Sequence, residues 1–224
     1  MDNNFNEIRY GSSPMEIQIS DVERISCIFS WLPENGATVL DLGCWDGTYA
    51  ERYKKNGNIV YGLESSSTSA ARAEQRGIKV AIGDVMGSRL FEGEYFDFVV
   101  AGEIVEHVFD TDEFIRRCKS YLKPGGVLIL TTPNVVSLPR RILMLIGINP
   151  YLENRNIPDV SAGHIRYFTF GEMKKLITDH GLKIESIRSD IVNFTPSGSL
   201  KSVYLARLIP SFGRSIMLVA RKRI

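Results

Sequence analysis

A doubly wound α/β fold on one mostly parallel sheet is what this sequence predicts. Three observations carry the prediction. Short apolar runs alternate with stretches of helical periodicity between residues 37 and 131, the runs carry consecutive apolar residues, and a glycine-punctuated turn joins the first run to its helix. Continuous apolar runs are strands buried on both faces, and strands separated by helices build a parallel sheet through right-handed crossovers. Such sheets bind ligands at the carboxyl ends of their strands.

Ile17, Ile25, Ile28, Phe29 and Leu32 have the spacing of an amphipathic helix, ended by Pro33 and Gly36, within an N-terminal helical segment over residues 1–35. Residues 37–42 read as the first strand, and a glycine-containing turn leads to a helix over 48–55. A strand over 58–63 is followed by a helix over 66–76 closed by Gly77, and a third strand covers 78–82. The fourth strand spans 95–101, with helical segments around Glu103 and over 112–122. Lys123-Pro124-Gly125-Gly126 is turn chemistry, and residues 127–131 form a fifth strand. The alternation then stops for a cap insertion over about residues 134–163. It holds a short amphipathic helix over 138–146, with Pro150 and Pro158 beyond it. Thr169-x-x-Glu172 fits a capping box for a helix running to His180 and stopped by Gly181. Residues 182–187 and 215–219 supply two late strands, the last expected as an antiparallel edge.

A chain of 224 residues, 44% hydrophobic and 24% charged, suits one globular domain, residues 1–224, with a small cap on a single core. Its net charge of +1 gives no global pointer to nucleic acid. After Asp190 no acid follows, while Lys201, Arg207, Arg214, Arg221, Lys222 and Arg223 do. This basic stretch suits an anionic substrate, a membrane surface, or simply a solvated terminal strand. Cys27, Cys44 and Cys118 are odd in number and widely spaced, so a reducing, cytoplasmic compartment is expected. The polar N-terminus lacks the apolar core of a signal peptide. The apolar run over 142–148 is far too short for a bilayer span.

The turn after the first strand reads Asp41-Leu42-Gly43-Cys44-Trp45-Asp46-Gly47. Gly43 and Gly47 carry no Cβ to obstruct a ligand's approach. A dinucleotide site would prefer G-x-G-x-x-G, with pyrophosphate on the helix N-terminus. An aspartate there repels pyrophosphate and suits an ammonium group, which favours the amino-acid end of S-adenosylmethionine over a nicotinamide cofactor. Glu64 ends the second strand, where a ribose diol would be held, and Asp84 ends the third, placed to accept from an adenine amino group. Each acid taken singly also reads as a helix cap or a turn residue.

The set Asp41-Leu42-Gly43-Cys44-x-x-Gly47, Glu64, Gly83-Asp84, Phe96-Asp97-Phe98-Val99-Val100 and Leu122-Lys123-Pro124-Gly125-Gly126 resembles the class I S-adenosylmethionine-dependent methyltransferase family. The resemblance implies a Rossmann-like seven-stranded sheet with a reversed last strand. It also implies a cofactor set of Asp41, Gly43, Cys44, Trp45, Gly47, Glu64, Ser65, Asp84, Val85, Gly102 and Glu103. One departure is local: family members usually have glycine where this chain has Trp45.

A sulfonium methyl is already activated, so the protein's task is to exclude water and align a nucleophile, worth about 7–11 kcal/mol. An oxygen nucleophile also needs its proton removed, by a base or through a metal. Glu103, Glu106 and His107 fall at i, i+3 and i+4, which predicts one helical face. The plain structural reading is that these acids favour a helix dipole and His107 satisfies a backbone group. Glu-x-x-Glu-His is, however, similar to ubiquinone-biosynthesis O-methyltransferases and to small-RNA 3′-end 2′-O-methyltransferases. That resemblance implies a divalent cation held by Glu103, Glu106, His107 and a later histidine, here His164. Without metal, His107 or His164 is the candidate general base. The absence of a basic stripe with interleaved aromatics argues against RNA. The expected acceptor is a small molecule or a lipid-linked one. The cap helix, with Arg140 and Arg141, reads either as a lid, to which Tyr10 adds, or as a peripheral membrane contact. Competing readings are a nicotinamide-dependent dehydrogenase and a cofactor-binding regulatory protein without catalysis.

Overall fold

The computed structural model describes residues 22–87, 90–91, 95–150, 163–195 and 200–224. Its strands in chain order are β1 (Thr38–Leu42), β2 (Ile59–Glu64), β3 (Lys79–Ile82), β4 (Phe96–Gly102), β5 (Leu122–Pro133), β6 (Leu182–Arg188), β7 (Val192–Asn193), β8 (Lys201–Ser202) and β9 (Ser215–Lys222). Seven of them form one sheet in the order β3-β2-β1-β4-β5-β9-β6, and β7 and β8 make a separate two-stranded ribbon. β1 to β5 pair in parallel, and β9 runs antiparallel to both neighbours, β5 and β6. This is the mostly parallel sheet with a reversed last strand that the sequence predicts. The chain order reverses between β1 and β4, so the ligand crevice lies at their carboxyl ends.

Consecutive strand residues feed opposite faces, which is why the apolar runs are continuous. Val39, Val100, Ile129 and Val219 pack with Ile28 of α1 (Val22–Trp31) and Leu32 just after it, Ala50 and Tyr53 of α2 (Thr48–Lys55) and Ala73 of α3 (Ser67–Gln75). Leu40, Val99, Leu128 and Leu218 pack on the other face with Phe114 and Ile115 of α4 (Thr111–Tyr121). The cap helix α5 is Leu138–Leu145, and α6 (Phe170–Asp179) adds Met173 and Ile177 to the second face. The Thr169–Glu172 capping box is formed in both directions, at 3.2 and 2.8 Å. A further short helix, α7 (Val203–Leu208), follows β8.

Four expectations need correction. The last strand is not an edge: β9 lies between β5 and β6, and β6 is the edge. Glu103 is not helical. Its φ is +57°, and only Val105–His107 form a single 3-10 turn, so Glu103, Glu106 and His107 do not share a helix face. Residues 123–126 belong to β5, where the register jumps from Phe96↔Leu122 to Phe98↔Val127, so the turn chemistry is absorbed as a bulge. The ribbon β7–β8 and α7 were not anticipated, because runs of two to six residues carry too little periodicity to read. Tyr10, Ile17 and Pro158 lie outside the described residues. Among the described residues no helix is long and apolar enough to cross a membrane, and Cys27, Cys44 and Cys118 are free thiols.

Candidate functional site

The loop after β1 is shaped by backbone that only glycine adopts easily. Gly43 has φ +67°, and a Cβ there would run into the Ile104 side chain. Gly47 has φ +77° and precedes α2; a Cβ would stand 2.9 Å from Cα and Cβ of Ala73. Trp45, between them, takes φ +48°, a left-handed conformation that costs a non-glycine residue about 1–2 kcal/mol. What holds it there is Glu64, whose Oε2 accepts from the Trp45 N–H at 3.0 Å. Trp45→Gly is therefore expected to raise stability by about 1 kcal/mol while removing the indole from the loop. Chemical denaturation of the two proteins reads this directly, and an unchanged midpoint would show that the indole's packing offsets the strain. Cys44 is buried under the loop, and any side chain at Gly62 would strike its Sγ.

The three acids named from the sequence stand at the carboxyl ends of adjacent strands, in different surroundings. Asp41 shares a strand face with Val39, close to the wholly buried Tyr53. Burial first, then the Glu64 carboxylate, pushes its carboxyl up to about 8. Glu64 is raised by burial too, against the backbone N–H groups of Ser66 and Trp45 that donate to it. Ser65 adds a weaker hydroxyl contact at 3.4 Å. Two buried acids side by side, each disfavoured as an anion, are a pair that a cationic ligand would stabilise. Asp84 is half-buried. Its Oδ1 accepts from Met86 N at 2.8 Å and closes a turn with Val85 at its centre. Gly102, the last residue of β4, lies beside Thr131, whose Oγ1 a Cβ there would meet at an ordinary 3.8 Å.

Beyond β4 the predicted metal set divides. Glu103 is drawn away: Arg24 Nη1 lies 3.0 Å from its Oε1, which also accepts from Thr131 Oγ1 at 2.9 Å. Glu106, His107 and His164 stay together, each offering a ligand atom, with all three atoms within 4.8 Å of one another. The His107 and His164 rings meet edge to face at 4.9 Å between centroids. His107 Nδ1 lies 3.2 Å from the Gly163 carbonyl, an acceptor, so Nδ1 donates there. Glu106 is 1% exposed. Its Oε2 accepts from Thr132 Oγ1 at 2.9 Å, while its Oε1 is buried with no hydrogen-bond partner. That orphaned oxygen lies 4.0 Å from His164 Nε2, wider than a hydrogen bond. Burial, then the charge of Glu103, holds the Glu106 carboxyl well above the usual carboxylate range.

Two hydroxyls at the end of β5 escaped the sequence reading, although adjacent buried threonines on a strand end are a readable signal. Thr131 points to the α1 face and bonds Glu103, whereas Thr132 points to the α6 face and bonds Glu106. Arg24 was missed as well, since a lone arginine on a helix announces nothing.

Residues 19–187 match the family described as a methyltransferase domain. A ubiquinone biosynthesis O-methyltransferase from Rhodopseudomonas palustris is 30% identical over 51% of this chain and 44% of its own length. Another from Dinoroseobacter shibae is 30% identical over 67% of this chain and 62% of its own. The chain thus spans about half the length of the curated relatives it matches. The fold is shared with a methyltransferase from Thermotoga maritima described as a possible histamine N-methyltransferase. That likeness has a TM-score of 0.65 and 20% identity, covering 90% of this chain and 89% of that one.

Proposed function

This chain belongs to the S-adenosylmethionine-dependent methyltransferase domain family, and from that premise we propose that it methylates a hydroxyl oxygen of a small-molecule or lipid-linked acceptor. The observation that carries the oxygen reading is the Glu106 carboxyl, buried with one oxygen unpartnered beside His164. A hydroxyl acceptor needs its proton removed as the C–O bond forms, and a histidine backed by a buried carboxyl supplies that. The similarity to ubiquinone-biosynthesis O-methyltransferases points the same way.

S-adenosylmethionine supplies an electrophilic methyl on a sulfonium. In this reading Asp41 receives the amino group of its methionine end, Glu64 the ribose hydroxyls and Asp84 the adenine amino group. Gly43 and Gly47 let the backbone approach, Trp45 closes the loop, and Cys44, Ser65, Val85, Gly102 and Glu103 complete the lining. Without a cation, His164 takes the acceptor's proton, and the resulting imidazolium favours ionisation of the Glu106 carboxyl, whose Oε1 lies 4.0 Å from His164 Nε2.

A divalent cation fits the same residues: two imidazoles and a carboxylate with an orphaned buried oxygen are a suitable donor set. Glu106, His107 and His164 would hold it, with Glu103 excluded by its bonds to Arg24 and Thr131. A bound divalent cation lowers the pKa of a coordinated hydroxyl. Incubating the protein with S-adenosylmethionine and catechol, with and without chelator, tests both statements. S-adenosylhomocysteine and a methoxy product are expected, with turnover falling at least about tenfold on chelation. Calorimetry that finds NAD bound and S-adenosylmethionine not bound would sink the methyltransferase reading.

For the cap we propose peripheral contact with a lipid surface. α5 buries none of its residues, and Leu145 is 86% exposed, next to Ile146 at 64%. Tyr204 and Leu208 of α7 add exposed apolar surface. The basic contribution comes from Arg207 and Lys201 rather than from the two arginines of the cap helix. Arg140 turns to the Asn134 carbonyl, and Arg141 to the Ser211 carbonyl and the Phe212 ring. Leu145→Asp is expected to reduce sedimentation with anionic vesicles several-fold, and equal binding by both proteins would reject the contact.

A further inference from the structure

Near the end of β5 stand two adjacent threonines, both wholly buried, and each donates to a different carboxylate. Consecutive strand residues point to opposite faces. Thr131 Oγ1 meets Glu103 Oε1 at 2.9 Å on one side of the sheet, and Thr132 Oγ1 meets Glu106 Oε2 at 2.9 Å on the other. The pair thus sorts two acids that are near neighbours in the chain. Glu103 goes to Arg24, and Glu106 goes to the two histidines.

For Glu106 the backbone leaves the direction of the carboxyl undecided. Its carbonyl accepts from Ile165 N at 2.9 Å and from Arg166 N at 3.0 Å, which ties its main chain to the segment carrying His164. The side chain still turns about several torsions, a freedom that is lost only where a partner fixes it. Thr132 is such a partner, and a stiff one. Its branched Cβ restricts the hydroxyl to few rotamers, and its main chain is held within β5, where it pairs with Ile216 of β9. Because the hydroxyl engages Oε2, the oxygen left over is Oε1, buried without a hydrogen-bond partner and 4.0 Å from His164 Nε2. A buried oxygen left unpaired costs free energy and calls for an explanation. A site that presents that oxygen to a histidine supplies one.

We propose that Thr132 is a positioning residue for proton removal, holding Glu106 by one oxygen so that the other faces His164. The proposal rests on the oxygen-methyltransferase reading. There the C–O bond forms as the C–S bond breaks, the electron pair stays on sulfur, and the acceptor's hydroxyl proton passes to His164. In this assignment Thr132 acts only through Glu106.

Steady-state kinetics with S-adenosylmethionine and catechol test it on wild type, Thr132→Val, Thr132→Ser, Glu106→Gln and the Thr132→Val/Glu106→Gln double variant. Valine keeps the branched shape and removes the donor, so kcat is expected to fall about tenfold, the size of one hydrogen bond, with cofactor affinity unchanged. Serine keeps the hydroxyl and should recover most of the loss. In the Glu106→Gln background, Thr132→Val should cost less than about twofold, because a residue acting through the carboxylate has nothing further to lose there. Melting curves confirm that each variant folds, and Thr132→Ala replaces valine if valine does not.

Unchanged kcat in Thr132→Val overturns the proposal, and so does an equal loss in both backgrounds, the mark of a packing defect. Wild-type protein that binds S-adenosylmethionine but leaves catechol unmethylated counts against the oxygen reading instead. Crystal structures of wild type and Thr132→Val then decide the positioning. Oε1 of Glu106 is expected to turn away from His164 in the variant, and a carboxyl that stays in place overturns the role given to Thr132.

Discussion

Asp41→Asn is expected to move two measurements in opposite directions: the empty protein becomes more stable and binds S-adenosylmethionine far more weakly. The Asp41 carboxyl, pushed up to about 8 by burial and by Glu64, ionises near pH 4 (about 3.9) once the chain unfolds. Between those values the unfolded chain has lost a proton that the folded chain keeps. The stability of the empty protein therefore falls as pH rises from about 4 to about 8 and levels off above that. Asparagine does not ionise, so the variant loses this slope and should gain about 1–3 kcal/mol at pH 8. A cofactor ammonium favours the ionised carboxylate, an interaction worth about 1.5–3 kcal/mol, so affinity should fall roughly 10- to 100-fold in the variant. Wild-type affinity should tighten with pH up to about 8, with release of close to one proton per ligand. Calorimetry in two buffers of different ionisation enthalpy reads the proton, and denaturant melts read the stability. Equal cofactor affinity in the two proteins would remove Asp41 from the cofactor site.

His164→Ala and Glu106→Gln should each lower kcat by about 10²–10⁴-fold, with cofactor affinity unchanged. Glu106→Gln is nearly isosteric and keeps an oxygen for the Thr132 hydroxyl, so a large effect would come from the lost carboxylate rather than from repacking. Added imidazole separates the roles further: recovery of turnover in His164→Ala marks a lost base, which a packing defect would not show. His107→Ala discriminates between the two chemistries of the site. A loss as large as that of His164→Ala follows if the three residues share a cation, and a much smaller one if His164 works alone. Full turnover in all three variants would reject the site as the place of proton removal.

The sheet was legible because its central strands are buried on both faces and so carry consecutive apolar residues, as in Val39-Leu40 and Leu128-Ile129. The loop acids were legible for a related reason: a carboxylate at a strand end costs free energy to bury and is conspicuous against its neighbours. Helix spacing misled at Glu103, because the i, i+3, i+4 rule assumes a helix, and a left-handed residue at the end of β4 breaks it. Pairing partners are a tertiary matter. Nothing in Arg24, Glu103, Arg214 or Asp190 as letters says which cation will meet which acid. The position of β9 was also hidden, since hydropathy reports burial and not the neighbour on either side. Trp45 was visible as a departure, but its strain and its brace by Glu64 needed the backbone.

The insertion of β9 between β5 and β6 has a consequence for how the chain assembles. Among the described residues β6 pairs with no strand but β9, and β5 joins β9 through seven residue pairs, from Val127↔Arg221 to Pro133↔Ser215. Until β9 docks, β5 presents a bare apolar edge and β6 has nothing to pair with, a state exposed to mispairing with other chains. Contacts between strands so distant in sequence form slowly. The cofactor half, β1 to β4, can therefore acquire amide protection first, and β5, β6 and β9 should gain theirs together in one later step. Arg214 and Ser215 arrive with β9, so their bonds to the buried Asp190 form in that later step.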